Sequence, residues 1–256
     1  MMIYSLLNIE MNSSLTIIIP AYNESKRIKK SLDDIDFFIL QQSNKSIYVI
    51  VVNDGSKDNT KETVNDWIEN KSKNKKSFKL IGYENNKGKG YAVKEGILNS
   101  TSSDLILYTD ADGAAPIKEV EKLIYWIEKE GFDIAVGSRV LKDKDSKIEM
   151  SFKRRFVGRI FHTILKTLGL APVYDTQCGF KLFKASEGKL LAKHQKCFGF
   201  SFDIEYLYLA KKLGYKVKEV PINWHHVEGS KVSVIRDSIK MFLEVIKIRF
   251  FNQYNI

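Results

Sequence analysis

The sequence predicts an α/β protein: a parallel sheet with helices on both of its faces. Three observations carry this. Short apolar, β-branched runs recur along the chain, helical patterns separate them, and the alternation repeats four times. The first run, LTIIIP at Leu15–Pro20, is continuous and ends in proline, as a strand buried on both faces does. A helical pattern over Ser25–Gln41 follows, then a strand, SIYVIVV, at Ser46–Val52 and a helix over Asp58–Asn70. FKLIGYE at Phe78–Glu84 is the third strand, followed by a helix over Lys89–Ser100. DLILYTD at Asp104–Asp110 is the fourth, and the helix after it, Pro116–Lys129, has proline in its first turn, where a missing N–H costs least. FDIAVGS at Phe132–Ser138 is the fifth strand.

A chain of 256 residues, 44% hydrophobic and 28% charged, is sized for one large domain or two small ones. Forty-one Lys and Arg against 31 Asp and Glu leave a net charge of +10. That excess admits an anionic partner: nucleic acid, a phosphorylated substrate or an acidic membrane. The Lys-rich stretch Lys71–Lys79 reads as a solvated turn rather than a nucleic-acid patch, having one aromatic residue and no nucleic-acid fold around it. Cys178 and Cys197 are too few for a disulfide framework and read as buried small hydrophobes in a reducing compartment. The uncharged stretch Met11–Asn23 includes Asn, Ser, Thr and Pro and falls short of the roughly 20 apolar residues a spanning helix needs. The opening MMIYSLLNIE lacks the basic region of a secretory leader.

Ligands of parallel α/β sheets sit at the carboxyl ends of the strands. There the sequence places PAYNE, NDGSKDNT, ENNKGKG and DADG, one after each of the first four strands. Each has an alternative reading as a turn or loop. Asp110 and Asp112, however, close a buried strand, and two such carboxylates can hold one hard cation while water and phosphate oxygens fill its other positions. Mg²⁺ or Mn²⁺ suits that donor set better than Zn²⁺, and no Cys or His cluster competes. A complete G-x-G-x-x-G, a Walker loop, a G-x-S-x-G elbow and H-E-x-x-H are all missing. The crevice therefore suits a nucleotide held through base, ribose and a metal-bridged diphosphate.

In this order and spacing, TIIIPAYNE, VVNDGSKDNT, NNKGKGYAV and YTDADGA resemble the family 2 glycosyltransferases, which have the GT-A fold: Rossmann-like, with a mostly parallel central sheet, typical of nucleotide-diphospho-sugar transferases. VGSR, DTQCGFKLF, FGFSFDIEYLYLA and VPINWHHVEGSKV resemble the dolichyl-phosphate β-glucosyltransferase branch, with the dolichyl-phosphate mannose synthases as relatives. The resemblance implies one domain over residues 14–251, with nucleotide and metal in 14–138 and the acceptor in 139–251. It implies that Pro20, Tyr22 and Glu24 line the uridine and that Asp54 bonds the uracil edge. Lys87 and Lys231 are then diphosphate contacts, Gln177 a sugar contact, and Asp110 and Asp112 the metal ligands, Asp112 the more direct of the two.

A hydroxyl acceptor needs a general base, whereas a lipid monophosphate, with a second pKa of roughly 6, is already mostly ionised near pH 7. It needs cations instead, and guanidinium forks match phosphate geometry. Arg139 and, in the basic segment Lys153–Arg159, Arg155 and Arg159 are assigned to the acceptor phosphate by likeness to the mannose synthases; a solubilising helix face is the other reading of that segment. Asp175 and Asp203 read as orienting sugar hydroxyls or basic side chains. A histidine of Trp224–His226 near the metal is the less favoured reading against a structural one.

Two segments suit a membrane surface: Phe152–Leu170, with Phe156, Ile160, Ile164 and Leu168 on one stripe, and Ser238–Phe251, with a wide apolar face. Core packing is the alternative for each. The segment ahead of Leu15 is shorter than the hydrophobic anchor of eukaryotic members of the branch, which points to peripheral contact, on the cytosolic face of a membrane and at the endoplasmic reticulum in a eukaryote. The expected reaction is inverting transfer of glucose from UDP-glucose to a dolichyl or other polyprenyl phosphate, as used in protein N-glycosylation, with Mg²⁺ or Mn²⁺. Alternatives are a mannose synthase-like enzyme, a soluble glycosyltransferase using Asp203 or Asp175 as base on a glycan hydroxyl, and a nucleic-acid-binding protein on a decayed transferase fold. The intact Asp110 and Asp112 argue against the last, and no nucleic-acid partner is expected.

Overall fold

The computed structural model describes residues 12–42, 45–100, 103–141, 163–170, 172–227, 234–252 and 254, without the side chains of 234–239. Its seven-stranded sheet has the order β3-β2-β1-β4-β6-β5-β7. The strands are β1 (Leu15–Ala21), β2 (Ile47–Asp54), β3 (Phe78–Tyr83), β4 (Leu105–Thr109), β5 (Ile134–Ser138), β6 (Phe180–Lys184) and β7 (Val217–Pro221). All five expected strands form. Pairing is parallel except at β6, which runs antiparallel to both β4 and β5.

Alternation along the strands produces two cores. Leu15, Ile17 and Ile19 of β1 face one way, with Val49 and Val51 of β2 and Leu105 and Leu107 of β4. They pack under helices α1 (Ile28–Gln41), α2 (Thr60–Asn70) and α4 (Val120–Glu128). Ile18, Val52, Ile106 and Tyr108 face the other way, under α3 (Lys89–Leu98), α5 (Ala185–His194), α6 (Phe202–Lys212) and α7 (Val234–Ile246). Strands buried on both faces explain why they read as unbroken apolar runs rather than alternating ones. The two edge strands are the exceptions: β3 buries only Phe78 and β7 only Val220.

Helix α3 starts at Lys89 as its pattern predicts, whereas α1, α2 and α4 start later than theirs because turns precede them. Residues 25–27 form a turn before α1, and a 3₁₀ turn at Ile117–Glu119 follows Pro116 before α4 begins. The Lys-rich segment is a solvated turn: Lys71, Lys73, Lys75 and Lys76 are exposed, while Asp36 of α1 accepts from Ser72 Oγ, the Lys73 N–H and Asn74 Nδ2. Cys178 and Cys197 are buried free thiols, and burial pushes Cys178 up to about 12.

The C-terminal helix has two apolar faces. Met241, Val245 and Ile248 are buried in the second core, whereas Phe242, Leu243, Phe250 and Phe251 are exposed, the last by 73%. In the other candidate membrane segment, Leu165 and Leu170 are fully buried, so its described end packs in the core; Phe156 and Ile160 lie outside the described residues. Among the described residues no helix is long and apolar enough to cross a membrane.

Helix α3 lies against β1 and β2 through Gly96, where a Cβ would come within 2.2 Å of Ile18 Cγ2 and 3.2 Å of Val52 Cγ2. Gly96→Ala adds helix propensity of about 1 kcal/mol but overpacks this contact, which typically costs about 1–3 kcal/mol. The expected result is a lower urea midpoint at unchanged slope; an unchanged or higher midpoint refutes this account of the packing.

Candidate active site

Strand order reverses between β1 and β4, where α1 and α2 cover one face of the sheet and α3 the other. A crevice opens at such a switch point, at the carboxyl ends of the strands. After β1 the chain turns through Asn23, whose φ of 55° is unusual for a residue other than glycine. Asn23 Oδ1 accepts from the Lys57 N–H at 2.7 Å, and Asn23 N–H donates to Ser56 Oγ at 2.9 Å. The loops after β1 and β2 are thus joined. Pro20 is buried near the end of β1, and Tyr22, just after the strand, is exposed. Glu24 forms a two-point ion pair with Arg27, at 2.6 and 2.8 Å.

Asp54 is 98% buried and organises the next loop. Its carboxylate accepts from the N–H groups of Lys87 (2.8 Å) and Gly88 (3.0 Å) and from Asn86 Nδ2 (2.8 Å). Lys87 itself is exposed, with Nζ 4.5 Å from the centre of the Tyr91 ring. Glycine is required at position 88, where φ is 104° and a Cβ would meet Phe198 O at 2.4 Å. The loop 86–90 is therefore clamped between Asp54 and the segment before α6.

The turn after β4 carries both candidate metal ligands. Asp112 Oδ1 accepts from the Ala114 N–H at 3.1 Å, and its Oδ2 lies 3.8 Å from Arg27. Asp110 Oδ1 is 2.6 Å from Lys89 Nζ. Burial, and then the charge of Asp110, hold the Asp112 carboxyl above its ordinary range. The two acids thus lie in each other's field, and a divalent cation relieves that repulsion. Among the described residues no three His, Cys, Asp or Glu side chains converge as a ready-made cage. Two carboxylates with all-oxygen donors fit Mg²⁺ or Mn²⁺ sharing its remaining positions with a nucleotide. Gly179 makes room for this turn: a Cβ there would lie 2.1 Å from Asp110 Oδ2.

On the far side of the crevice, Arg139 follows β5 and grips Asp175 at two points, Nε to Oδ2 and Nη2 to Oδ1, both 2.8 Å. Glu219 fixes Asp175 in turn through its N–H, 2.8 Å away. Burial alone would raise the Asp175 carboxyl, but the guanidinium outweighs it and holds the group below its ordinary range. The Arg139 side chain is 24% exposed and lies over the Trp224 ring at 5.7 Å. The His225 N–H donates to Ala114 O at 3.0 Å, which brings Trp224–His226 alongside the metal turn.

Beneath the crevice lies a group that the sequence analysis missed. Lys181, with no exposed side-chain surface, donates to Asp203 Oδ1 at 2.5 Å, Cys178 O at 2.7 Å and Tyr108 OH at 3.1 Å. Tyr108 OH also donates to Asp203. Asp203 therefore orients a basic side chain here, and it is 3% exposed. Gln177 turns its amide toward Met241 Sδ, 3.7 Å away. Lys89 was missed too. A lysine at an inward position of FKLFK, and one flanked by glycines at a helix start, were the available signals. Arg155, Arg159 and Lys231 lie outside the described residues.

The description "Glycosyl transferase family 2" belongs to the family model that matches residues 16–214. The dolichyl-phosphate beta-glucosyltransferase of Dictyostelium discoideum is 38% identical over 93% of this chain and 75% of its own length. The proteins of the same name from Saccharomyces cerevisiae and Homo sapiens are 35% and 31% identical, each over 92% of this chain and 74% of their own. Among solved structures, glucosyl-3-phosphoglycerate synthase from Mycobacterium tuberculosis, in complex with Mn²⁺, UDP and phosphoglyceric acid, superposes with a TM-score of 0.70 at 16% identity, covering 96% of this chain and 81% of that one. Mannosyl-3-phosphoglycerate synthase from Rubrobacter xylanophilus gives 0.64 at 16% identity, over 93% and 73%. These two likenesses establish the fold as GT-A.

Removing one partner of a buried ion pair leaves an uncompensated charge. Lys181→Met is expected to lower unfolding free energy by about 3–5 kcal/mol, and adding Asp203→Asn to recover most of it. Denaturant titration of both variants checks this; equal losses in the single and double variants refute the pairing.

Proposed function

The chain belongs to glycosyl transferase family 2, and we propose that it transfers glucose from UDP-glucose to a dolichyl or other polyprenyl phosphate, giving a β-glucosyl phosphoryl lipid and UDP. One observation carries the choice of acceptor. The two acids that could serve a hydroxyl acceptor as base, Asp175 and Asp203, are both buried and occupied by Arg139 and Lys181. Neither is free to take a proton. A phosphate acceptor needs no base near neutral pH, because it is already mostly ionised, and a guanidinium held rigid by a carboxylate and partly open to solvent suits it. The names of the relatives support the same acceptor and a glucosyl donor.

In this reading the phosphate oxygen attacks the anomeric carbon from the face opposite UDP. The carbon–oxygen bond to the β-phosphate breaks, and its electron pair leaves with UDP. Asp110 and Asp112 would hold Mg²⁺ or Mn²⁺, which supplies Lewis-acid neutralisation of the departing diphosphate. Tyr22 and Glu24 at the rim, Asp54 through the loop 86–88, and Lys87 flank the nucleotide; Arg139, with Arg155 and Arg159, meets the acceptor, and Gln177 and Lys231 complete the donor contacts. Residues 14–138 thus hold the nucleotide and metal, and residues 139–251 build the acceptor site and add Gln177 and Lys231 to the donor, within one domain. Positioning and stabilisation of the leaving group account for most of the acceleration.

A lipid acceptor brings the enzyme to a membrane surface, on its cytosolic face. The exposed Phe242, Leu243, Phe250 and Phe251, with Lys240, Lys247 and Arg249 also exposed, support peripheral contact in which apolar rings enter the interface and cations meet the headgroups.

Incubation with radiolabelled UDP-glucose, Mn²⁺ and a polyprenyl phosphate in detergent is expected to move label into the organic phase, and a chelator to stop it. Asp112→Ala should retain the fold and lose at least about a hundredfold in turnover, as loss of several kcal/mol of charge stabilisation requires. UDP release with all label remaining aqueous would remove the lipid acceptor. Separately, Phe250→Ser with Phe251→Ser is expected to weaken sedimentation with vesicles containing anionic lipid; unchanged sedimentation counts against this helix as the contact.

A further inference from the structure

We propose that Lys89 is the counter-ion that makes metal binding at Asp110 conditional on the arrival of the nucleotide diphosphate, a positioning role that rests on the donor reading above. Its ammonium lies 2.6 Å from Asp110 Oδ1, with Nζ 5.8 Å from the Tyr108 ring centre and 6.0 Å from that of Phe202. The side chain is 20% exposed, half as much as that of Asp110. The backbone that carries it cannot lift away. Asp54 holds the N–H groups of Lys87 and Gly88, and at Gly90 a Cβ would meet Phe202 Cβ at 2.7 Å and Cys197 O at 2.9 Å.

The second acid is matched less closely. Arg27 Nη1 lies 3.8 Å from Asp112 Oδ2 and is itself fixed by Glu24. Asp110 is thus the acid in direct contact with a cation, Arg27 being shared between Glu24 and the more distant Asp112. A divalent cation arriving alone must displace or sit beside an ammonium that already satisfies Asp110. Arriving with a diphosphate, it brings the negative charge that both cations then face. Lys87, two residues earlier, cannot do this, since its ammonium lies over the Tyr83 and Tyr91 rings.

The test titrates Mn²⁺ into the protein, following free Mn²⁺ by electron paramagnetic resonance, with and without UDP. Wild type is expected to bind Mn²⁺ weakly alone and at least about tenfold more tightly with UDP; by reciprocity UDP binding tightens with Mn²⁺ by the same factor. Lys89→Met should bind Mn²⁺ alone about tenfold more tightly and lose a like factor of coupling, whereas Lys89→Arg should restore wild-type behaviour. A residue that only packs would lower stability without tightening the metal. Lys89→Gln repeats the measurement should the methionine variant fail to fold. Metal binding that is unchanged or weaker in the neutral variants, or wild type that binds Mn²⁺ equally well without UDP, overturns the proposal. A protein that binds no UDP loses the donor reading and this inference with it. One that binds UDP and Mn²⁺ with the expected coupling but transfers nothing to lipid keeps the inference and loses the acceptor.

Discussion

The structure depends on a charge placed where no water reaches it. Lys181 sits mid-strand on β6, directly across from Tyr108 of β4, and an ammonium there is tolerated only because Asp203, Tyr108 and Cys178 O surround it. That requirement ties three distant parts of the chain together: the strand ending at the metal turn, the reversed strand, and the start of α6. It also fixes the register of β6. Thr109 pairs with Phe180, so Gly179 falls beside Asp110, and Asp110 N–H donates to Gly179 O at 3.1 Å. A side chain at 179 would collide with the carboxylate, so the residue just before β6 must be glycine.

Legibility in the sequence follows from how local each constraint is. The strands β1, β2, β4 and β5 announce themselves because burial on both faces makes them unbroken apolar runs, and their carboxyl ends locate the crevice without further information. β6 is obscure for the opposite reason. FKLFK is short, carries two lysines, and takes its antiparallel place from pairing with β4 and β5, which no local pattern encodes. Helix α6 is obscure because it is buried nearly all round, Asp203 and Glu205 included, so it lacks the polar stripe that marks a surface helix.

The candidate site divides in the same manner. Asp110, Asp112 and Arg139 are readable as polar residues closing buried strands. What they touch is not. Lys87 and Lys89 look alike in the sequence, yet one lies over the half-buried rings of Tyr83 and Tyr91 and the other on Asp110, while Gly88 and Gly90 pack against residues 197–202. Pro20 is assigned to the uridine by resemblance alone; the strand continues past it through Ala21. Asp54 reads as a group for a base edge. In the structure it also carries the backbone of the loop 86–88, so whatever it offers a ligand must be offered from oxygens already accepting three N–H bonds.

That same stretch, 196–201, also meets the C-terminal helix, so the loop 86–90 and the exposed apolar face share one support. Glu205, fully buried, accepts from the N–H groups of Lys196 and Cys197 and from Tyr254 OH. Gly199 lies so close to Glu244 that a Cβ would come within 3.2 Å of its carboxylate, and Ser201 Oγ reaches Met241 O. On its other side the stretch supplies Phe198 O, to which the Tyr91 N–H donates, and the backbone against which Gly88 and Gly90 close. The stretch therefore touches both the helix that carries Phe242, Leu243, Phe250 and Phe251 and the loop bearing Lys87 and Lys89. The loop of the candidate donor site and the helix with the exposed apolar face thus rest on one segment of backbone, each closing on it where a glycine or a short polar side chain leaves room.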